Sequence, residues 1–222
     1  MPTNPTIEYQ AICFDMDGTL IDSEPLWLKS EIELMAEFGY EWSRVDQEYC
    51  LGGPLSKVGA YMAEKAGGAQ TPEYFIATMI SSVESHLENS LEFMPGAIEL
   101  VDELHSLGYP LALVTASPRN LLRATLAGLP FNYFSATVSS NDVTKTKPHP
   151  ESYIRAAKML QVDISHCLVL EDSRTGVASG LASGARVVGI EHMLTFDPSD
   201  RLATVPSLDG IDAAKLLTLH VL

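Results

Sequence analysis

Ala11-Ile12-Cys13-Phe14-Asp15-Met16-Asp17-Gly18-Thr19 decides how the rest of the chain is read. The first four residues are an unbroken apolar run, as expected of a strand buried on both faces. Two carboxylates then arrive, one residue apart, where that strand should end, and Gly18 lets the backbone turn sharply beyond them. Two acids at the mouth of a parallel sheet are costly to place together unless a cation or a reaction needs them.

Working outward, residues 22–93 read as helices throughout. Ser23 is the expected N-cap of the first, with Pro25 in its first turn. Leu28, Ile32 and Met35 fall on one face, and Gly39 stops it. Breaks fall at Gly52-Gly53-Pro54 and Gly67-Gly68. From Met94 the pattern alternates. Helices are expected from Pro95-Gly96 to Gly108, from Pro118 to near Gly128, from Pro150 to about Leu160, and up to Gly184. Between them lie strands at Leu111–Val114, Ala136–Val138, Cys167–Leu170 and Arg186–Ile190. Continuous apolar strands separated by helices predict a doubly wound parallel α/β sheet, Rossmann-like. The expected division is an α/β catalytic core of residues 1–21 and 94–222, with residues 22–93 inserted as a helical cap.

The chain has 222 residues, 46% hydrophobic and 19% charged, enough for one sizeable domain or a core with a small insertion. Its formal charge of −15, from 14 basic and 29 acidic residues, argues against nucleic acid or an anionic membrane as partner. It does not forbid an anionic substrate, because a divalent cation and a few lysines can dominate one cleft. Cys13, Cys50 and Cys167 form no Cys-x-x-Cys pair and read as small buried residues. No apolar run approaches a membrane span, and Met1-Pro-Thr-Asn-Pro-Thr6 is polar, unlike a secretory signal. A cytoplasmic monomer acting on a small metabolite is expected.

In an open parallel sheet, ligands bind beyond the carboxyl ends of the strands. Asp15 and Asp17 follow the first strand, Thr115 the second, and Glu171-Asp172 the strand at Cys167–Leu170. Lys147 lies in the loop Lys145-Thr-Lys-Pro-His-Pro150. These residue types suit phosphoryl transfer. One carboxylate can attack phosphorus, and a neighbouring acid can protonate the leaving alcohol and later accept a proton from water. A strand-end hydroxyl with backbone N–H groups can hold phosphoryl oxygens, and a lysine can neutralise their charge. Carboxylates without a histidine or cysteine cluster fit magnesium better than zinc.

The stretch Phe14–Glu24 resembles the first motif of the haloacid dehalogenase-like hydrolases, most of which are magnesium-dependent phosphatases. Leu-Val-Thr115-Ala-Ser117 resembles the second motif, Lys147-Pro-His-Pro-Glu-Ser-Tyr the third, and Glu171-Asp172-Ser-Arg-Thr-Gly176 the fourth. The helical insertion is similar to the cap of the beta-phosphoglucomutase and sugar phosphatase subgroup. The resemblance implies that Asp15 is the nucleophile and that Asp17 is the general acid/base and gives its carbonyl to magnesium. It implies that Gly18, Thr115, Ala116, Ser117 and Lys147 hold the phosphoryl group. It also implies that Asp172 and Glu171, with Asp15 and Asp17, hold the metal. Ile21-Asp-Ser-Glu-Pro-Leu-Trp27, Thr115-Ala-Ser-Pro118 and Lys147-Pro-His-Pro150 look like bacterial hexitol and 2-deoxyglucose-6-phosphate phosphatases.

Beta-phosphoglucomutases carry a histidine where this chain has Trp27, and a Lys-Gly pair before a cap arginine where it has Leu51-Gly-Gly-Pro-Leu55. Hydrolysis is therefore favoured over a phosphomutase, and Asp17 argues against dehalogenation. A non-catalytic phosphate-binding protein is the alternative of a different class. Several residues also have bland readings. Glu171-Asp172 could merely charge a helix N-terminus, Lys145 competes with Lys147, and Arg119 reads as a solvated side chain near the phosphate loop. Trp27 reads as packing, and Gly176, Gly180 and Gly184 read as close helix–sheet packing.

Overall fold

A computed structural model of the chain describes residues 9–50, 54–192 and 194–219. Residues 1–6 and Leu51-Gly52-Gly53, read above, lie outside them. The chain divides into two compact units. The first runs to Asp22 and continues through Glu92–Leu122 and from Leu129 onward; the second comprises Ser23–Leu91 and Arg123–Gly128.

The first unit is built on β1 (Ala11–Phe14), β2 (Leu111–Val114), β3 (Ala136–Val138), β4 (Cys167–Glu171), β5 (Arg186–Ile190) and β6 (Leu202–Val205). Every pair in the sheet is parallel, in the order β3-β2-β1-β4-β5-β6. The connections wind outward in opposite directions from the centre, so the topological switch lies between β1 and β4. The carboxyl ends there form the natural ligand crevice of such a sheet. β1, β2 and β4 are buried at every position, which is why they read as unbroken apolar runs. Gly180 lies against Val187 and Val169, where a Cβ would approach Val187 to 2.8 Å. The helix carrying it therefore packs closely on the sheet, as its small residues predict.

The helices of this unit are α5 (Ala97–Ser106), α7 (Glu151–Leu160), α8 (Arg174–Ser183) and α9 (Ala213–Thr218). Helix α6 (Arg119–Ala127) is shared with the second unit. β6 and α9 were not anticipated. β6 is an edge strand with half-buried central residues, and α9 is short, so neither has a long periodic signal. β4 extends one residue further than expected, so that Glu171 itself pairs with Gly189.

The second unit contains α1 (Glu24–Glu37), α2 (Arg44–Cys50), α3 (Leu55–Lys65) and α4 (Pro72–Asn89). Its core gathers Leu34, Met35, Trp42, Met62, Phe75 and Met79, and Trp27 packs against it. Two local expectations are corrected. Ser23 has helical backbone angles and its side chain does not cap α1. Ile32 is exposed, because the buried face of α1 is Ser30, Glu31, Leu34 and Met35. Ser30 satisfies its hydroxyl on the Leu26 carbonyl, and Glu31 accepts the Trp42 indole N–H at 3.0 Å.

Burial, offset in part by that hydrogen bond, pushes the Glu31 carboxyl up to about 7. The folded state therefore holds a proton that the unfolded chain releases, and this contribution to stability disappears as pH rises through about 7. Urea midpoints at pH 5 and pH 8 should differ less for Glu31→Gln than for the wild type. Equal differences in the two proteins would remove Glu31 as the cause.

Candidate active site

β1 delivers Asp15 to the switch point, and the Asp15 N–H continues the sheet ladder by donating to the Leu170 carbonyl at 3.0 Å. The chain then folds back on itself. Gly18 has φ of +79°, and its N–H donates to the Ile21 carbonyl at 2.9 Å. A Cβ at Gly18 would collide with the Asp172 carboxylate, so glycine is required here both for backbone angle and for space.

The two motif acids face different partners. Lys147, its side chain 3% exposed, places its Nζ 2.5 Å from Asp15 Oδ1 and 2.6 Å from Glu171 Oε1. It also donates to the Val114 carbonyl at 2.9 Å. Asp17 instead accepts at Oδ2 from Thr115 Oγ1 at 3.1 Å and Ser117 Oγ at 2.7 Å. Ser117 N–H donates back to Thr115 Oγ1 at 2.8 Å, drawing the loop after β2 into a tight turn. Of the two competing lysines, Lys147 is the one in the cluster. Lys145 is exposed, and its backbone N–H is held by Glu151.

Glu171 is fully buried and surrounded by donors. Oε1 accepts from Lys147 and from Tyr153 Oη at 2.6 Å, and Oε2 accepts from Ser173 Oγ at 3.1 Å and Ser173 N–H at 3.4 Å. Ser173 also caps α8 by accepting the Gly176 N–H at 3.0 Å. Sequence reasoning assigned no role to Tyr153 or Ser173. The aromatic that closes the third motif and a serine placed as the N-cap of a helix marked these two positions, but not their contact with Glu171.

Burial and the neighbouring Glu171 charge push the Asp15 carboxyl well above its ordinary range, with Lys147 opposing. Burial and Glu171 push Asp172 up to about 7. Burial alone would lower the Lys147 ammonium, but the Asp15 and Glu171 charges outweigh it and hold the lysine charged. Asp15, Glu171 and Asp172 each offer an oxygen within 4.8 Å of the others. Three carboxylates with no nitrogen or sulfur donor among them suit a hard divalent cation. The Asp17 carboxylate is engaged elsewhere, with Thr115 and Ser117.

Gly176 presses on the Glu171 carboxylate so closely that a Cβ there would occupy the carboxylate's own space. Gly176→Ala should therefore lower stability by about 2 kcal/mol or more, despite the better helix propensity of alanine. Thermal unfolding checks this, and an unchanged midpoint would show that Glu171 has room to move. Arg119 is not free toward the site, because its Nη2 donates to Asp142 Oδ1 at 2.6 Å. His149 lies half-exposed beside Glu151, apart from the acidic group. Among the described residues, no helix is long and apolar enough to cross a membrane.

The sequence model of the haloacid dehalogenase-like hydrolases matches residues 12–190. Hexitol phosphatase B of Escherichia coli O157:H7 is 32% identical over 213 residues, covering 93% of this chain and 96% of that one. A fructose-1-phosphate phosphatase of Escherichia coli K12 is 28% identical over 183 residues, covering 82% and 96%. Among solved structures, a HAD hydrolase of family IA, variant 3, from Entamoeba histolytica superposes with a TM-score of 0.82 at 24% identity, over 96% of this chain and 100% of that one. The match runs from within β1 to the end of β5, spanning every acid, hydroxyl and lysine of the cluster, and on it the chain belongs to the haloacid dehalogenase-like hydrolases.

Proposed function

We propose that the protein is a magnesium-dependent phosphatase of a small sugar or polyol phosphate, working through an aspartyl-phosphate on Asp15. One observation carries this reading: the two acids of β1's exit are given different environments. Asp15 sits against the Lys147 ammonium among carboxylates, and Asp17 sits on a pair of hydroxyls. Separate environments for paired acids are how separate chemical roles are assigned. The hexitol and fructose-1-phosphate phosphatases among the relatives support the substrate class.

In the first step an Asp15 carboxylate oxygen attacks phosphorus, and the bond from phosphorus to the substrate oxygen breaks. Asp17 gives its proton to that leaving oxygen. In the second step water attacks the same phosphorus and passes a proton to Asp17. The acyl phosphate bond then breaks, releasing phosphate and restoring Asp15. Lys147 offsets negative charge between Asp15 and the phosphoryl oxygens, and Gly18, Thr115, Ala116 and Ser117 supply the surrounding donors. Asp15, Asp172, Glu171 and the Asp17 carbonyl would hold magnesium, which neutralises charge between nucleophile and phosphoryl group when bound. Since all four donors of Glu171 are internal, its principal part is to hold Lys147 in place.

The test is phosphate release from a panel of sugar, polyol and nucleotide monophosphates, with magnesium and with chelator, followed by chromatography of the organic product. Magnesium-dependent release of phosphate from sugar or polyol phosphates supports the reading. An isomerised sugar phosphate without net release, or no turnover at all, overturns it.

A further inference from the structure

Thr115 and Ser117 reach the site from the loop after β2, and Lys147 from the loop after β3. A short segment at the start of the second loop fastens it to the first. It is the tight 3-10 turn Ser140–Asp142, which leaves β3 and leads toward Lys147. Ser140 N–H donates to the Ser117 carbonyl at 3.1 Å. Asn141 Oδ1 accepts the Arg119 N–H, the first of α6, at 2.8 Å. Asp142 divides its carboxylate. Oδ2 accepts from Ser139 N–H at 2.9 Å and Ser139 Oγ at 2.6 Å, while Oδ1 takes the Arg119 guanidinium at 2.6 Å.

The Arg119 and Asp142 side chains are 47% and 20% exposed. An ion pair this open to water adds little to folding stability. Its effect lies in where it holds the backbone, because it joins the residue next to the Thr115–Pro118 turn to the segment that carries Lys147. We infer that Arg119, Asn141 and Asp142 are positioning residues that set the spacing between the Thr115 and Ser117 hydroxyls and the Lys147 ammonium. They thereby set the affinity of this site for a phosphoryl group. The inference rests on the proposed phosphate-holding role of those three side chains. It also assigns Arg119 away from the substrate, toward its own chain.

The experiment compares the wild type with Asp142→Ala, Arg119→Met, Arg119→Lys and the Asp142→Ala/Arg119→Met double variant. It reads kcat, KM and inhibition by inorganic phosphate, together with the calorimetric Kd for inorganic phosphate and the thermal midpoint. Asp142→Ala should raise KM and the phosphate constants together by about tenfold, with a smaller change in kcat. Arg119→Met should do the same, the double variant should be no worse than the poorer single, and Arg119→Lys should recover part of the loss.

Unchanged phosphate affinity in Asp142→Ala overturns the inference. So does tighter phosphate binding in Asp142→Ala with weaker binding in Arg119→Met, which would give the freed guanidinium to the substrate. A lowered midpoint with unchanged KM reduces the turn to a structural brace, and additive losses in the double variant separate the two residues. A wild type that binds phosphate but turns nothing over would sink the proposed reaction. The calorimetric shifts would still decide the inference, and a wild type that binds no phosphate would sink both.

Discussion

Asp15→Asn should cut magnesium-dependent phosphate release by about 10³-fold or more, since loss of a nucleophile removes the covalent route altogether. The same variant should fold at least as well as the wild type. Asp15 is buried against Glu171, and both burial and that neighbouring charge disfavour its carboxylate. An amide keeps the shape and removes one anion from the crowd. Lys147 keeps Glu171 at 2.6 Å and the Val114 carbonyl at 2.9 Å. A raised or unchanged thermal midpoint beside abolished turnover would show stability given up for reactivity at this position. Retained turnover in a pure preparation would place the nucleophile elsewhere and end the proposed mechanism.

Lys147→Met should be the most damaging single change to the fold at the site. It leaves Asp15 and Glu171 buried without their shared cation, and breaking a buried pair from one side costs about 3–5 kcal/mol. The deficit has a sign in pH. Lys147 is the influence that lowers the Asp15 carboxyl, so without it that carboxyl rises further. A group whose folded pKa is raised keeps its stability below the unfolded value and loses it as pH rises through the folded one. The gap between variant and wild type should therefore be narrow near pH 4 and widen toward pH 8, as read from urea midpoints in chelator. Activity should fall with it, because the charge on the transferring phosphoryl oxygens loses its nearest cation. A gap independent of pH would mean that methionine fails by packing and that the charge of Lys147 is incidental.

The parts of this molecule that were legible in the sequence share a physical cause. β1, β2 and β5 fall where their apolar runs end, because a central parallel strand is buried on both faces and has no polar alternation to obscure it; β3, at the sheet edge, was marked by its short apolar run alone. Asp15, Glu171 and Asp172 stood out because acids directly after such runs have no reason to be there on propensity alone. Lys147 was told from Lys145 only by its setting before a proline, and it is Lys147 that the structure brings to Asp15. What stayed hidden depends on contacts between distant residues. Nothing near Tyr153 in sequence says that its hydroxyl meets Glu171, and nothing near Arg119 says that it meets Asp142 rather than solvent. Ser23 failed as a cap because its backbone is already helical, and Ile32 failed as a core residue because the packing of α1, rather than its own periodicity, chose the buried face.

The strand order has a consequence for how the chain comes into being. β1 is made first, yet Ile12 pairs with Leu111 on one side and Leu168 on the other. Until β2 is made, Ala11–Phe14 is an apolar segment with both edges open, waiting across the whole helical insertion for its first neighbour and longer for its second. Such remote pairings make folding slow and expose sticky edges meanwhile. The insertion can bury its own core of Met35, Phe75 and Met79 during that interval. A ribosome stalled before Cys167 would thus carry a chain whose helical portion is finished while its first strand still lacks one edge.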